Sequence, residues 1–238
     1  MPALTSSYRE RRGQLLTYFD RTAAEAWSRL TSDAPVSGIR ATVRAGRDRM
    51  RNTLLGWLPA DLRGCRLLDA GCGTGALAVD AARRGAHVVA VDLSPTLVGL
   101  ARERTPRDLG AGSVEFAVGD MLATGLGRFD HVVAMDSLIH YRAADTVRAL
   151  AGLTARCADG GGSVLFTFAP RTLPLTLMHV AGRLFPRGDR APAIEPVAEA
   201  GLRCLIAAEP GLKGWRPGRT ERVAGGFYIS QALELVTR

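Results

Sequence analysis

Three glycines alternate with small residues in the segment Asp69-Ala70-Gly71-Cys72-Gly73-Thr74-Gly75, which follows two leucines and precedes a stretch with helical periodicity. This order predicts a buried strand, a tight turn and a helix start, and in a doubly wound sheet such a turn lies at the carboxyl edge, where ligands bind. Glycine provides positive φ there and lets the backbone lie against a ligand. Asp69 stands where the pyrophosphate of a dinucleotide would pass, and its carboxylate repels phosphate but attracts an ammonium group. The pattern therefore indicates a cofactor that carries a cation and lacks phosphate, and S-adenosyl-L-methionine fits this description.

A second acidic residue, Asp92, ends the next apolar run of the chain. It lies 17 residues beyond Gly75, close to the offset of roughly 20 residues at which a carboxylate meets the ribose hydroxyls in nucleotide-binding folds. Such a carboxylate can accept a hydrogen bond from each hydroxyl. Asp92 is therefore a candidate ribose ligand, and we assign Leu93, which follows it, to the same site.

The segment Asp69–Gly75 resembles motif I of the class I methyltransferases, which use S-adenosyl-L-methionine and release S-adenosyl-L-homocysteine. The resemblance implies that Asp120 contacts the adenine amino group and that Met121 lies beside the adenine ring. The candidate cofactor-binding residues are Asp69, Gly71, Cys72, Gly73, Gly75, Asp92, Leu93, Asp120, Met121 and Asp136.

The segment Asp136-Ser137-Leu138-Ile139-His140-Tyr141 follows the fourth predicted strand. In class I methyltransferases this position faces the transferred methyl group. Members that methylate base nitrogens usually carry an Asn-Pro-Pro-Tyr type of tetrapeptide here, and its absence argues against a nucleic-acid target. An isolated histidine at the end of a strand is more often a packed core residue. Beside a motif that fixes the cofactor, however, His140 is the stronger candidate for a functional group.

Composition and charge set broad bounds on the protein. The sequence has 238 residues, of which 47% are hydrophobic and 23% charged, enough for one large α/β domain. The net charge is +8, and Lys213 is the only lysine among 31 basic residues. This excess of arginine permits an anionic ligand or membrane surface without selecting one. The four cysteines form no C-x-x-C pair, and there is neither a signal-peptide pattern nor an apolar run of roughly 18 residues. We expect a reduced, cytoplasmic protein without a metal site.

The order of helical and strand patterns predicts an α/β fold, a Rossmann-like class I methyltransferase with a seven-stranded, mostly parallel sheet and an antiparallel last strand. Residues 1–63 are assigned to a helical arm and cap, with a helix over Val36–Trp57, and residues 64–238 to the cofactor-binding domain. A lid-like insertion at about 170–190 has an apolar, helical part, Leu173–Phe185. The predicted strands are Arg66–Asp69, His87–Asp92, Val114–Val118, Asp130–Met135, Ser163–Phe168, Arg203–Ala208 and Gly226–Leu235. The predicted helices of the domain are Ala76–Arg84, Pro95–Arg104 (capped by Ser94), Ala144–Cys157 and Ile194–Ala200.

Further segments point to one family. In the arm they are Tyr18-Phe19-Asp20, Glu25-Ala26-Trp27 and Arg44-Ala45-Gly46-Arg47, and in the domain they are Asp136–Tyr141, Phe168-Ala169-Pro170, Leu184-Phe185-Pro186 and Phe227-Tyr228-Ile229-Ser230. With these segments the chain resembles, over its whole length, the magnesium-protoporphyrin IX methyltransferases of (bacterio)chlorophyll biosynthesis.

This resemblance implies methyl transfer from S-adenosyl-L-methionine to one propionate carboxylate of magnesium-protoporphyrin IX, giving the monomethyl ester. A carboxylate with a pKa of about 4 needs no general base at neutral pH. The candidate catalytic residues are His140 and Tyr18, with His140 as an orienting group. The candidate substrate-binding residues are Tyr18, Trp27, His140, Tyr141 and Arg171, with Arg142 an alternative to Arg171 for holding a propionate.

The resemblance also implies a partner, the large porphyrin-binding subunit of magnesium chelatase, and it leaves peripheral contact with the photosynthetic membrane open.

Two other hypotheses for the function remain. One is a methyltransferase for another small molecule, such as a quinone precursor, in which His140 would act as general base for a phenol. The other is a non-catalytic partner protein that binds S-adenosyl-L-methionine within a complex.

Overall fold

The computed structural model describes residues 5–22, 31, 38–158, 162–172 and 193–238 of the chain. The strands in these ranges are β1 (Arg66–Ala70), β2 (His87–Asp92), β3 (Ser113–Val118), β4 (His131–Ala134), β5 (Ser163–Phe168), β6 (Trp215–Gly225) and β7 (Tyr228–Thr237). The helices are α1 (Ser6–Thr17), α2 (Gly38–Trp57), α3 (Ala76–Arg83), α4 (Pro95–Arg104), α5 (Ala143–Thr154) and α6 (Glu199–Ala208), with single turns at Tyr18–Thr22, Leu138–His140 and Pro210–Leu212. The strands form one sheet in the order β3-β2-β1-β4-β5-β7-β6. The predicted fold class is confirmed.

The first five strands of the chain are parallel and apolar. Leu68 on β1 pairs with Val89 on β2 on one side and with Val132 on β4 on the other. All residues of β1 after Arg66 are buried. Strands that are covered on both faces have continuous apolar sequences. The predicted bounds of the five parallel strands, including the partly exposed edge strand β3, are confirmed to within one residue at each end.

The antiparallel part of the sheet lies at the β5 side. β7 lies between β5 and β6 and runs antiparallel to both, which confirms the prediction of an antiparallel last strand. The prediction of a sixth strand at Arg203–Ala208 is wrong, because these residues form the second half of α6. The prediction of a helix at Ile194–Ala200 is wrong as well, because α6 begins at Glu199.

Both errors have the same physical cause. A short apolar run does not distinguish a strand from one face of a helix, and the buried residues of α6, Leu202 and Ile206, have helical spacing. The true sixth strand, β6, lies at the edge of the sheet, and Val223 is its buried residue. Its sequence therefore lacks the apolar pattern by which the buried strands were predicted.

The two helices of the N-terminal region cover opposite faces of the sheet. α1 adds Tyr8 and Leu15 to a hydrophobic core that also contains residues of α5 and α6. α2 adds Met50 and Leu54 to the core that contains residues of α3. The helix predicted at Leu173–Phe185 lies outside the described residues. None of the described helices is long and apolar enough to cross a membrane.

We expect Gly46→Ala to destabilise the protein, because Tyr228 packs directly on Gly46. A Cβ at position 46 would lie 2.6 Å from the Cβ and Cγ of Tyr228, and overpacking of this kind lowers the free energy of unfolding by about 1–3 kcal/mol. Gly56→Ala on the same helix is the matched control. No atom lies within 4 Å of its added Cβ, so the methyl group should raise the free energy of unfolding by about 0.5–1 kcal/mol. Urea unfolding measures both, and changes of the same sign would contradict the expectation.

Candidate active site

A cavity opens at the carboxyl ends of β1, β2 and β4. Its wall comes from the glycine loop after β1, the end of β2, the turn after β4 and the N-terminal arm. The lining residues are Leu15, Phe19, Arg47, Gly71, Gly73, Val91, Asp92, Leu93, Leu97, Gly119, Met121, Met135, Asp136, Ser137, His140 and Tyr141. Most of the predicted cofactor residues and His140 thus lie together at the edge where parallel sheets bind ligands.

Asp92 fixes the shape of the glycine loop. Its Oδ2 accepts a hydrogen bond from the Gly73 amide at 2.8 Å, and its Oδ1 accepts one from the Ser94 amide at 3.0 Å. The amides of Gly71 and Cys72 donate to the Val91 carbonyl of β2. The turn after β1 is therefore tied to the end of β2 by backbone and carboxylate contacts together.

Two of the three glycines are needed because of neighbouring side chains. A Cβ on Gly71 would meet the side chain of Ser137, and one on Gly75 would lie 2.9 Å from the ring of Phe116. Gly73 lines the cavity, with φ of 53°. Glycine was predicted in this turn for positive φ and for close approach of the backbone to a ligand. All three glycines have positive φ, and Gly71 and Gly75 also make room for Ser137 and Phe116. Close approach to a ligand stays a prediction.

Asp69 lies at a second cavity, which adjoins the first. The two share Arg47, Gly71 and Met135, and the second is also lined by Thr31, Arg44, Asp48, Arg51, Asp69, Cys72, Thr74, Ala76 and Leu77. The Asp69 side chain is buried, and its Oδ2 has no hydrogen-bond partner among the described residues. Burial, and next the charge of Asp92, raise the pKa of Asp69 to about 7. A carboxylate beside arginine side chains forms a site that can face both a cationic and an anionic group.

Asp120 contacts the arm. Its Oδ1 accepts hydrogen bonds from the Tyr8 hydroxyl at 3.0 Å and the Leu122 amide at 2.8 Å, and its Oδ2 pairs with Arg12 Nη1 at 2.9 Å. The neighbouring Met121 lines the first cavity. The residue predicted to contact the adenine amino group therefore holds α1 in place in this structure.

Aromatic residues of the arm cover the turn after β4. The ring of Tyr8 stacks on Tyr141, with centroids 4.7 Å apart. Phe19 packs edge-on against His140, with centroids 5.9 Å apart. The arm is also anchored at Asp20, whose carboxylate accepts hydrogen bonds from the Ser94 hydroxyl and the Thr96 amide at 3.1 Å each. Residues of α1 and of the following turn Tyr18–Thr22 therefore cover this side of the cavity.

The predicted substrate residues are not all found in one place. His140 and Tyr141 line the cavity, although Tyr141 is buried beneath Tyr8. Of the two neighbouring arm aromatics, Phe19 and not Tyr18 contributes to the wall. Arg171 and Arg142 line a separate groove beside α6. Trp27 lies outside the described residues.

Sequence reasoning missed the three residues that the N-terminal region contributes to the cavity wall, namely Leu15, Phe19 and Arg47. Phe19 and Arg47 lie within segments that carried the family resemblance, and Arg47 shares one face of α2 with Arg44 and Arg51, which line the second cavity with it. Helical spacing alone could not show that this face points at the turn after β4.

The sheet order, the glycine loop and the cavity at the carboxyl edge define a class I methyltransferase dependent on S-adenosyl-L-methionine. A family model described as "Magnesium-protoporphyrin IX methyltransferase C-terminus" matches residues 134–237, and one described as "Methyltransferase domain" matches residues 67–161. The magnesium-protoporphyrin O-methyltransferase of Rhodobacter capsulatus is 50% identical over 232 residues, which cover 97% of this chain and 99% of the relative. The chain belongs to the family of magnesium-protoporphyrin O-methyltransferases.

Two further similarities agree with this assignment. The magnesium-protoporphyrin O-methyltransferase of Synechocystis is 32% identical over 92% of this chain and 93% of its own length. The crystal structure of magnesium protoporphyrin IX methyltransferase from Synechocystis with bound S-adenosyl-L-homocysteine has a TM-score of 0.81 at 30% identity. That match covers 95% of this chain and 100% of the solved chain.

We expect Asp69→Asn to change how stability depends on pH. A buried carboxyl whose pKa rises from 3.8 to about 7 on folding stabilises the fold in its protonated form, and this contribution is lost as the pH rises through about 7. The stability of the unmodified chain relative to Asp69→Asn should therefore fall between about pH 5 and about pH 8. Urea unfolding at both pH values measures this difference.

Asp61→Asn is the control for this experiment. Asp61 is exposed, and its hydrogen bonds from Arg63 lower its pKa to about 2. Its contribution to stability is therefore constant between about pH 5 and about pH 8. A relative stability of Asp69→Asn that stays constant across the same window would contradict the expectation.

Proposed function

We propose that this chain transfers a methyl group from S-adenosyl-L-methionine to a propionate carboxylate of magnesium-protoporphyrin IX, giving the monomethyl ester. The observation that carries the proposal is the similarity to magnesium-protoporphyrin O-methyltransferases over nearly the whole chain. This similarity includes the arm, whose residues Leu15 and Phe19 form part of the cavity wall.

The residues around the two cavities fit the parts of the cofactor. Leu93, Leu97 and Met121 offer an apolar surface for the adenine ring. Asp92 would accept hydrogen bonds from the ribose hydroxyls. Asp69, whose buried Oδ2 lacks a partner in the described structure, would accept one from the ammonium group. When bound, the cofactor supplies an electrophilic methyl group on its sulfonium sulfur.

The acceptor needs orientation more than activation. A propionate, with a pKa of about 4, is ionised at neutral pH, so no proton has to be removed. Holding the reacting groups in line can contribute about 7–11 kcal/mol to lowering the barrier. His140 lies in the cavity wall beyond β4, packed edge-on against Phe19. From this position its ring can donate a hydrogen bond to the acceptor carboxylate.

An assay with three acceptors distinguishes the hypotheses. The purified chain is incubated with S-adenosyl-L-methionine and either magnesium-protoporphyrin IX, its dimethyl ester, or a catechol precursor of a quinone. We expect mass spectrometry to detect one added methyl group on magnesium-protoporphyrin IX alone, since the dimethyl ester has no free carboxylate. Methylation of the catechol alone would favour the hypothesis of a methyltransferase for a quinone precursor. Binding of S-adenosyl-L-homocysteine without methylation of any acceptor would favour a non-catalytic partner protein.

Substitutions of His140 separate an orienting group from a general base. We expect His140→Asn, which keeps a hydrogen-bond donor, to retain much more turnover of magnesium-protoporphyrin IX than His140→Ala. If His140 removed a proton, both variants would lose about 10²–10⁴-fold in kcat. Calorimetry with S-adenosyl-L-homocysteine is the control, and its affinity should stay near that of the unmodified chain. Equal and severe losses in kcat would contradict the orienting role.

The proposal extends to the cap and to a partner. We assign residues 1–63 to a cap over the cavity, supported by the contacts of Tyr8, Arg12 and Asp20 with the domain. We assign the insertion at about 170–190 to a second cover.

A large apolar pigment is poorly soluble in water, and direct transfer from the large subunit of magnesium chelatase would avoid its release. Cosedimentation with that subunit and with anionic vesicles tests the partner and the peripheral membrane contact.

A further inference from the structure

The carboxylate of Asp136 is the meeting point of four side chains from three other elements. Arg47 Nη1 on α2 donates to Oδ2 at 2.8 Å, and the Tyr228 hydroxyl on β7 lies 3.1 Å from both oxygens. The hydroxyls of Ser230 on β7 and Thr167 on β5 donate to Oδ1 at 3.2 and 3.1 Å. The Asp136 side chain is only 6% exposed.

These contacts fill the hydrogen-bonding capacity of the carboxylate. Two carboxylate oxygens offer about four lone-pair positions, and four donors approach them. The guanidinium of Arg47 compensates the negative charge of the Asp136 carboxylate. Burial, and next the charge of Asp136, raise the pKa of Tyr228, so its phenol keeps the proton that it donates. The sequence predicted Asp136 as a cofactor ligand, but its carboxylate has little capacity left for a cofactor group.

The backbone of Asp136 is held in an uncommon conformation. Its φ is 52°, the one positive value among the described non-glycine residues. Such a conformation persists where the surrounding structure determines it. Here the Asp136 amide also donates to the Thr167 hydroxyl at 2.7 Å. The chain then enters the turn Leu138–His140, so the direction in which it leaves β4 decides where His140 lies.

Three separate sequence motifs converge on this carboxylate. Arg44–Arg47 supplies Arg47 and also Gly46, on which the Tyr228 ring packs. Phe227–Ser230 supplies two hydroxyl donors. Asp136–Tyr141 supplies the acceptor and, at its far end, His140. The motifs are distant in sequence, and their joint contacts give them a common role in shaping the turn after β4.

We propose that Asp136 is a positioning residue: its carboxylate, compensated by Arg47 and held by hydroxyls of β5 and β7, fixes the turn that presents His140 to the acceptor. The carboxylate does not bind the cofactor. The statement about the acceptor rests on the proposed function, whereas the statement about the turn does not.

A double-mutant cycle tests the coupling. The variants are Asp136→Asn, Arg47→Met and their combination, each in the full chain. In Arg47→Met the buried carboxylate of Asp136 loses the guanidinium that compensates its charge, which is strongly unfavourable. We expect each single variant to lower kcat for magnesium-protoporphyrin IX by about tenfold or more, and the double variant to have a higher kcat than Arg47→Met. Losses that multiply in the double variant would overturn the proposal.

Cofactor binding separates positioning from ligation. We expect Asp136→Asn and Tyr228→Phe to keep the Kd for S-adenosyl-L-homocysteine within about twofold while kcat falls. Neither side chain contacts the cofactor under this proposal, so neither substitution removes a cofactor contact. Tyr228→Phe removes one donor and keeps the ring on Gly46. A Kd raised by about tenfold in Asp136→Asn, with kcat at saturating cofactor unchanged, would make Asp136 a ligand and overturn the proposal.

The imidazole signal of His140 provides a readout that does not depend on the substrate. It is assigned by its loss in His140→Gln and followed by NMR in the complex with S-adenosyl-L-homocysteine. We expect it to shift in Asp136→Asn and Tyr228→Phe. Ser163→Ala is the control, since Ser163 contacts His131 at the opposite edge of the sheet and should change the His131 signal alone.

The outcomes are distinguishable from failure of the proposed function. If the unmodified chain does not methylate magnesium-protoporphyrin IX, the proposed acceptor is wrong, and the positioning role is still decided by the NMR signal and by the Kd. A His140 signal that is the same in all variants would overturn the positioning role even if the ester is formed.

Discussion

The two backbone hydrogen bonds accepted by Asp92 hold the site together. They fix the Gly73 amide after β1 and the Ser94 amide after β2 to one carboxylate. Ser94 continues the connection, because its hydroxyl accepts from the Leu97 amide at the start of α4 and donates to Asp20 of the arm. The glycine loop, the end of β2, α4 and the arm thus share one series of contacts, and the shape of the cavity depends on it.

Acidic residues surround the cavities in two different states. Asp120 and Asp136 pair with Arg12 and Arg47, and these pairs join the arm and α2 to the domain. Asp69 makes no salt bridge among the described residues, and burial, with the nearby charge of Asp92, raises its pKa. A buried carboxylate without a salt bridge is stabilised by a bound cation. The two salt-bridged acids therefore join elements of the protein, whereas Asp69 favours a positively charged ligand.

The parallel half of the fold could be predicted because its signals are local. The five parallel strands carry short apolar runs, and α4 begins where Ser94 provides the expected cap. The glycine loop is local as well. The exposed edge strand β6 and the short apolar helix α6 could not be predicted, since their sequences carry no decisive period.

The candidate site was predictable only in part. The positions of Asp92, Met121 and His140 at the ends of strands followed from the order of the elements. The pairing of Asp120 with Tyr8 and Arg12, and of Asp136 with Arg47 and Tyr228, joins residues about a hundred positions apart in the chain. Such partners depend on how α1, α2 and β7 pack in three dimensions, and no local pattern in the sequence encodes this packing.

The position of β7 has a consequence for synthesis of the protein. β7 is made after every other strand, yet it lies inside the sheet between β5 and β6. Before it emerges from the ribosome, the edge of β5 has unpaired backbone groups, and Asp136 lacks the two hydroxyls that β7 provides. A nascent chain that stops at β6 therefore has a parallel sheet with an open edge and an incomplete turn after β4. Completion of the turn after β4 is thus coupled to the insertion of β7 into the sheet.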